Sequence, residues 1–185
     1  MTEFIRQAIP EVIEVRPPKY GDHRGFFSET FKASAFAEQG IEIDWVQDNM
    51  SFSAQVGTVR GLHFQAPPMA QDKLVMVLKG AIYDVAVDIR RSSPTYGMWV
   101  GMELSAKKWN QLLVPVGFAH CFMTLLPDTE VMYKVSAPYS KKDEGAIRWN
   151  DPQLAIAWPD VGAAPTLSEK DEIATLFADF QSPFI

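Results

Sequence analysis

The chain is poor in reactive side chains. Its 185 residues include one cysteine, Cys121, and three histidines, His23, His63 and His120. A single cysteine excludes an internal disulfide framework and favours a reducing compartment, which we read as the cytoplasm. Long apolar runs are lacking too. The longest, Leu112 to Leu126, is broken by Pro115, Gly117 and His120, and it is too short to span a bilayer as a helix. No membrane partner is expected. The opening residues, MTEFIRQAIP, show no basic segment followed by an apolar one, so no secretory signal is expected. There is no basic excess: 17 Lys and Arg stand against 23 Asp and Glu, a formal net charge of -6, which argues against general nucleic-acid affinity. Any catalysis must therefore run on very few groups.

What is present is ordinary globular material. Hydrophobic residues make up 47% and charged residues 22%, so disorder is a poor reading. The length suits one domain over 1–185, which buries roughly 70% of its unfolded surface. No linker, repeat or charged tail stands out. Helix signals are few. KASAFAEQG, residues 32–40, reads as a helix closed by Gly40. Ser168 and Asp171 read as a capping box opening a C-terminal helix. Ile173, Leu176, Phe177 and Phe180 then fall at helical spacing and form one apolar stripe.

Between these helices the pattern is β. In AIYDVAVDIR, Tyr83, Val85, Val87 and Ile89 alternate with Asp84, Ala86 and Asp88, which reads as a half-buried strand. KLVMVL is joined to it through Lys79 and Gly80, a hairpin signal. VRGLHF, WVGMEL, WNQLLVP, AHCFMTLL, EVMYKV and GAIRWN read as further strands, separated by turns such as Pro67-Pro68 and Pro115-Val116-Gly117. Many short strands with closely spaced turns imply an antiparallel sandwich or barrel.

Two histidines lie among apolar strand residues, His63 in RGLHFQ and His120 in PVGFAHCF. The commonest role of such a histidine is a satisfied core residue, but barrel interiors also hold ligands. Pro115–His120 reads P-x-G-x-x-H and resembles the second motif of cupin barrels. The first cupin motif supplies H-x-H and a glutamate, whereas HFQAPPMAQDK supplies one histidine and no glutamate. Two histidines without a third good ligand make a poor zinc or iron site. We therefore expect a cupin-type barrel without a metal, in which histidine serves as an acid or base. Arg60 and Lys73 flank His63 in sequence, where the plain reading of each is a solvated charge. Arg60 and His63 lie an odd number of residues apart, so a regular strand puts them on opposite faces. A bulge at Gly61 would bring them together. Tyr133 alternates with Val131 and Val135, as a core tyrosine would. Asp171 is accounted for by the capping box alone.

GDHRGFFSETF, VQDNMS, VRGLHFQ, AQDKLV, GAIYDVAVDIR, PVGFAHCF, YKVSAPYS, DEGAIRWNDP and LSEKD occur here in this order. Together, from about Ile9 to Asp171, they closely resemble the dTDP-4-dehydrorhamnose 3,5-epimerases. The resemblance implies a mainly β, jelly-roll barrel of cupin type with short peripheral helices. It implies a homodimer that uses no metal and no other cofactor and acts on a dTDP-4-keto-6-deoxyhexose. Carried over by position, His63 is the proton-abstracting base and Asp171 the carboxylate that orients it. Tyr133 returns a proton on the opposite face, and Lys73 steadies charge on the C4 oxygen. Arg60 and His120 hold sugar or phosphate. Arg24, Glu29, Gln47, Asp48 and Asn49 match nucleotide-sugar contacts, as do Glu144 and Lys170. Tyr139 matches the aromatic that stacks on thymine. His23 is given no role. Where the family reads Q-D-N-H-S this chain has Met50, so a polar contact near the substrate is expected to be lost. A relative that inverts only one carbon would carry the same residues. A binding module without catalysis would be expected to lack the base or the acid, and both His63 and Tyr133 are present.

Overall fold

The computed structural model describes residues 1–185. Strands β1 (Glu3–Arg6), β2 (Ile13–Arg16), β5 (Gln47–Ser53), β7 (Lys73–Lys79), β10 (Gln111–Val114) and β12 (Thr129–Val135) form a six-stranded sheet in the order β1-β2-β10-β7-β12-β5. Strands β6 (Val59–Gln65), β8 (Ala81–Asp88), β9 (Trp99–Ser105), β11 (Phe118–Thr124) and β13 (Glu144–Ala146) form a five-stranded sheet in the order β13-β6-β11-β8-β9. A small hairpin, β3 (Tyr20–Asp22) and β4 (Gly25–Phe27), stands apart. All strand pairs are antiparallel, and the two large sheets face each other as in a jelly roll.

Three apolar layers hold this arrangement. Between the sheets, Val75, Val77 and Val131 pack against Ile82, Ala86, Phe118 and Phe122. On the far side of the five-stranded sheet, Val85, Val87, Cys121 and Met123 pack against Leu154, Phe177 and Phe184 of the C-terminal segment. On the far side of the six-stranded sheet, Ile13, Val15, Leu74 and Leu113 are covered by Phe36 of helix α1 (Ala33–Ala37). Each large side chain buried this way contributes about 1.5–3 kcal/mol. Gly40, at φ +73°, lies just past that helix.

Three sequence expectations need correction. β8 is buried on both faces, not one, because the C-terminal segment covers its outer side. Lys79-Gly80 does not close a hairpin, since β7 pairs with β10 and β12 while β8 pairs with β11 and β9. The turn instead carries the chain from one sheet to the other. The C-terminal helix is a single turn, α2 (Glu169–Glu172). It stops because Thr175 bridges Ile147 and its carbonyl accepts a hydrogen bond from Arg148 N. The helical stripe is thereby broken: Ala174 and Phe177 are buried, whereas Ile173 is 81% exposed.

Candidate active site

The site begins with an irregularity in β6. In its pairing with β11, His63 stands opposite His120, but Arg60 stands opposite Phe122. Three steps along β6 thus match two along β11, which is a bulge at Gly61 and Leu62. The extra residue reverses the alternation, so Arg60 and His63 line the same cavity despite their odd spacing. Gly61 sits at φ +126°. A Cβ there would collide with the His120 carbonyl oxygen and approach Cys121 Cα to 2.7 Å, so the bulge requires glycine.

The cavity has a volume of about 1110 Å³ and is walled by both sheets. The five-stranded sheet contributes Arg60, His63, His120 and Glu144. The six-stranded sheet contributes Gln47, Asn49, Lys73 and Tyr133. Tyr139 comes from the segment after β12, and Lys170 and Asp171 come from α2.

His63 Nε2 lies 2.5 Å from Asp171 Oδ1. Asp171 is only 3% exposed, and its other oxygen accepts a 2.8 Å bond from the Ser168 hydroxyl. Ser168 Oγ also accepts from Asp171 N, so the capping role and the histidine contact coexist. Desolvation raises the Asp171 pKa, but the bonds and charge from His63, the Ser168 bond and the Lys170 charge outweigh it and leave it below the ordinary value. The carboxylate therefore stays ionised and accepts the Nε2 proton. In the neutral imidazole the other ring nitrogen then carries the lone pair.

Facing this pair across the cavity are two groups without hydrogen bonds in the chain. Burial raises the Tyr133 phenol above its ordinary value, so it keeps its proton at neutral pH. The Lys73 ammonium is lowered to about 8 by desolvation, against the partial support of Asp84 and Glu144. A base and an acid on opposing walls, with a cation that has no carboxylate partner, suit proton exchange next to a carbonyl.

The second histidine has its own carboxylate. His120 Nε2 lies 2.7 Å from Asp84 Oδ1, both residues being buried. The remaining Asp84 oxygen is buried without a partner. Sequence reading missed Asp84, because alternation assigned it to the solvent side of β8. The presence of both Asp84 and Asp88 in so apolar a strand was the available signal.

At the rim, Tyr139 is 59% exposed and its hydroxyl donates to Glu144 at 3.2 Å, while Lys170 pairs with Glu144 at 2.5 Å. Arg60 donates to the Phe52 carbonyl and to Ser53 Oγ, which ties β6 to β5. Three expected residues do not line the cavity. Arg24 sits in the β3–β4 turn, forked onto Asp22. Glu29 lies in the chain after that hairpin. Asp48 takes Lys134 Nζ at 2.9 Å. β5 alternates, so Gln47, Asn49 and Ser51 face the cavity while Asp48 and Met50 do not. Met50, 61% exposed, is thus not a gap in this cavity's polar lining.

Residues 6–179 match the family model described as dTDP-4-dehydrorhamnose 3,5-epimerase. The dTDP-4-dehydrorhamnose 3,5-epimerase of Sinorhizobium fredii is 54% identical over 168 residues, covering 91% of this chain and 86% of that one. A crystal structure from Legionella pneumophila, in complex with dTDP-4-keto-L-rhamnose, superposes with a TM-score of 0.93 at 44% identity, covering 98% and 95% of the two chains. Another from Bacillus anthracis, with TDP and PPi bound, gives 0.92 at 47% identity, covering 96% and 100%.

Proposed function

The chain belongs to the dTDP-4-dehydrorhamnose 3,5-epimerase family, and on that premise we propose that it inverts C3 and C5 of dTDP-4-keto-6-deoxy-D-glucose, giving dTDP-4-keto-L-rhamnose for dTDP-L-rhamnose synthesis. The observation that carries this reading is the His63–Asp171 pair on one wall facing the unpartnered Tyr133 and Lys73 on the other. A proton α to a ketone is weakly acidic. His63 removes it, the C–H electron pair moves to the C4 oxygen, and Lys73 stabilises the enolate. Tyr133 delivers a proton to the opposite face, so the configuration inverts and the formula is unchanged. A base alone would return the proton where it came from. Positioned proton transfer contributes about 10²–10⁴-fold, and a preorganised cation at the oxygen contributes about 3 kcal/mol more. Arg60, His120 and Lys170 hold phosphate or sugar oxygens, which makes the overall charge of -6 no obstacle to an anionic substrate. Tyr139 stacks on thymine, beside Glu144, Gln47 and Asn49.

The protein works as a single domain over 1–185, in the cytoplasm, as a homodimer. Support for the dimer comes from the residues outside the cavity. Arg24 lies in an exposed hairpin that also shows Tyr20, Phe26 and Phe27 to solvent. The edge strand β5 also exposes Met50 and Phe52. Arg24, Glu29 and Asp48 serve the site through the partner copy. Borohydride reduction of the reaction product followed by sugar analysis tests the chemistry: 6-deoxyhexoses inverted at both carbons are expected. Inversion at C3 alone or C5 alone would replace this reading with a mono-epimerase. Light scattering tests the assembly, and a fully active monomer would contradict it.

A further inference from the structure

Tyr139 stands on a stretch without regular structure, Ala137–Ser140, whose Pro138 and Tyr139 are exposed. Exposed irregular chain is ordinarily mobile, yet the main chain here is held from beneath by side-chain amides. Gln65, only 4% exposed, donates from Nε2 to the carbonyls of Met69 (2.6 Å) and Pro138 (3.1 Å). Its Oε1 accepts from Ser140 N at 2.7 Å. Gln71 Nε2 donates to the Ala137 carbonyl at 2.6 Å. Gln65 bonds on both sides of Tyr139, at residues 138 and 140.

This pattern demands an amide. Two N–H donors and one oxygen acceptor are all used, and no other side chain of that length supplies both kinds. Glutamate would set a carboxylate against two carbonyls, and lysine could not accept from Ser140. Gln65 also lies two residues after His63 on β6, on the same wall of the cavity. One strand therefore carries both the base and the brace for the aromatic arm. We propose that Gln65 is a positioning residue that preorganises the Tyr139 arm, so that a nucleobase stacks on an arm already held in place. The proposal rests on the nucleotide-sugar reading of the site. Because the arm is braced in advance, ligand binding need not order it.

The test is a double-mutant cycle read by dTDP titration and steady-state kinetics. Gln65→Leu should weaken dTDP binding and raise KM by about tenfold, with kcat held within about twofold. Tyr139→Ala should weaken dTDP binding as well. The double variant should bind no more weakly than Tyr139→Ala alone, because Gln65 acts through Tyr139. Additive losses, an unchanged KM, or a fall in kcat at constant KM would overturn the proposal. If Gln65→Leu does not fold, Gln71→Leu, which releases only the Ala137 contact, takes its place in the cycle and must show the same non-additivity. Wild-type protein that fails to bind dTDP would instead overturn the nucleotide-sugar reading, independently of Gln65.

Discussion

Replacing Lys73 by methionine should stabilise the protein while disabling it. The ammonium has no ion-pair partner, and burial lowers it from the ordinary 10.5 to about 8. That difference corresponds to about 3 kcal/mol of penalty on the cation in the folded protein. The cavity is open to water, so the measurable part is roughly 1–3 kcal/mol. Between the two values the unfolded chain binds more protons than the folded one, so wild-type stability rises as pH climbs from about 8 towards 10.5. Below about 8 both states are protonated and the penalty is present in full. Lys73→Met removes the charge and keeps the bulk. It should be more stable than wild type at about pH 7, and the gap should shrink by about pH 9.5. Urea unfolding at the two pH values measures this. The same variant should lose about 10²–10³-fold in kcat, the usual loss of one preorganised stabiliser of an oxyanion. A variant less stable than wild type at neutral pH, or a gap indifferent to pH, would refute the claim that the fold holds a strained cation for the enolate.

Asp171→Asn should lower kcat by about 10²–10⁴-fold, because an amide neither enforces the imidazole tautomer nor stabilises its cation; near-normal turnover would argue that His63 needs no orienting carboxylate. Asp84→Asn should move the loss of activity at high pH towards neutrality, since the Asp84 charge is the largest support for protonated Lys73. An unmoved basic limb in a pH–rate profile would count against that coupling. Gly61→Ala should cost roughly 1–3 kcal/mol or more, from a positive φ and a Cβ set against the β11 backbone. Wild-type stability in thermal unfolding would mean that β6 can do without its bulge.

The strands from β6 onward were legible because apolar residues and turns recur at short intervals there. β1 to β4 run for only three or four residues each, too short to carry that signal. Local signals failed where the tertiary structure outvoted them. Lys79-Gly80 resembles a hairpin turn, but pairing partners in opposite sheets pull β7 and β8 apart. The Ile173 to Phe180 spacing is helical, but the Thr175 bridge to Ile147 ends the helix after one turn. Alternation put Arg60 and His63 on opposite faces, and only a bulge at Gly61, raised as the condition for their meeting, reconciles them. Asp84 was hidden by the same rule, because a strand buried on both faces has no solvent side. The ordered motifs pointed to most of the cavity wall, but not to which residues lie outside it. Asp48 faces away because β5 alternates, and Arg24 sits on a separate hairpin.

The central claim is that His63 and Tyr133 exchange carbon-bound protons on opposite faces of one sugar. The most direct measurement is deuterium incorporation into dTDP-4-keto-6-deoxy-D-glucose in deuterated water, followed by NMR. The expected result is deuterium at both C3 and C5 with wild-type protein and at neither position with His63→Ala. Absence of exchange with wild-type protein, or undiminished exchange with His63→Ala, would contradict the account.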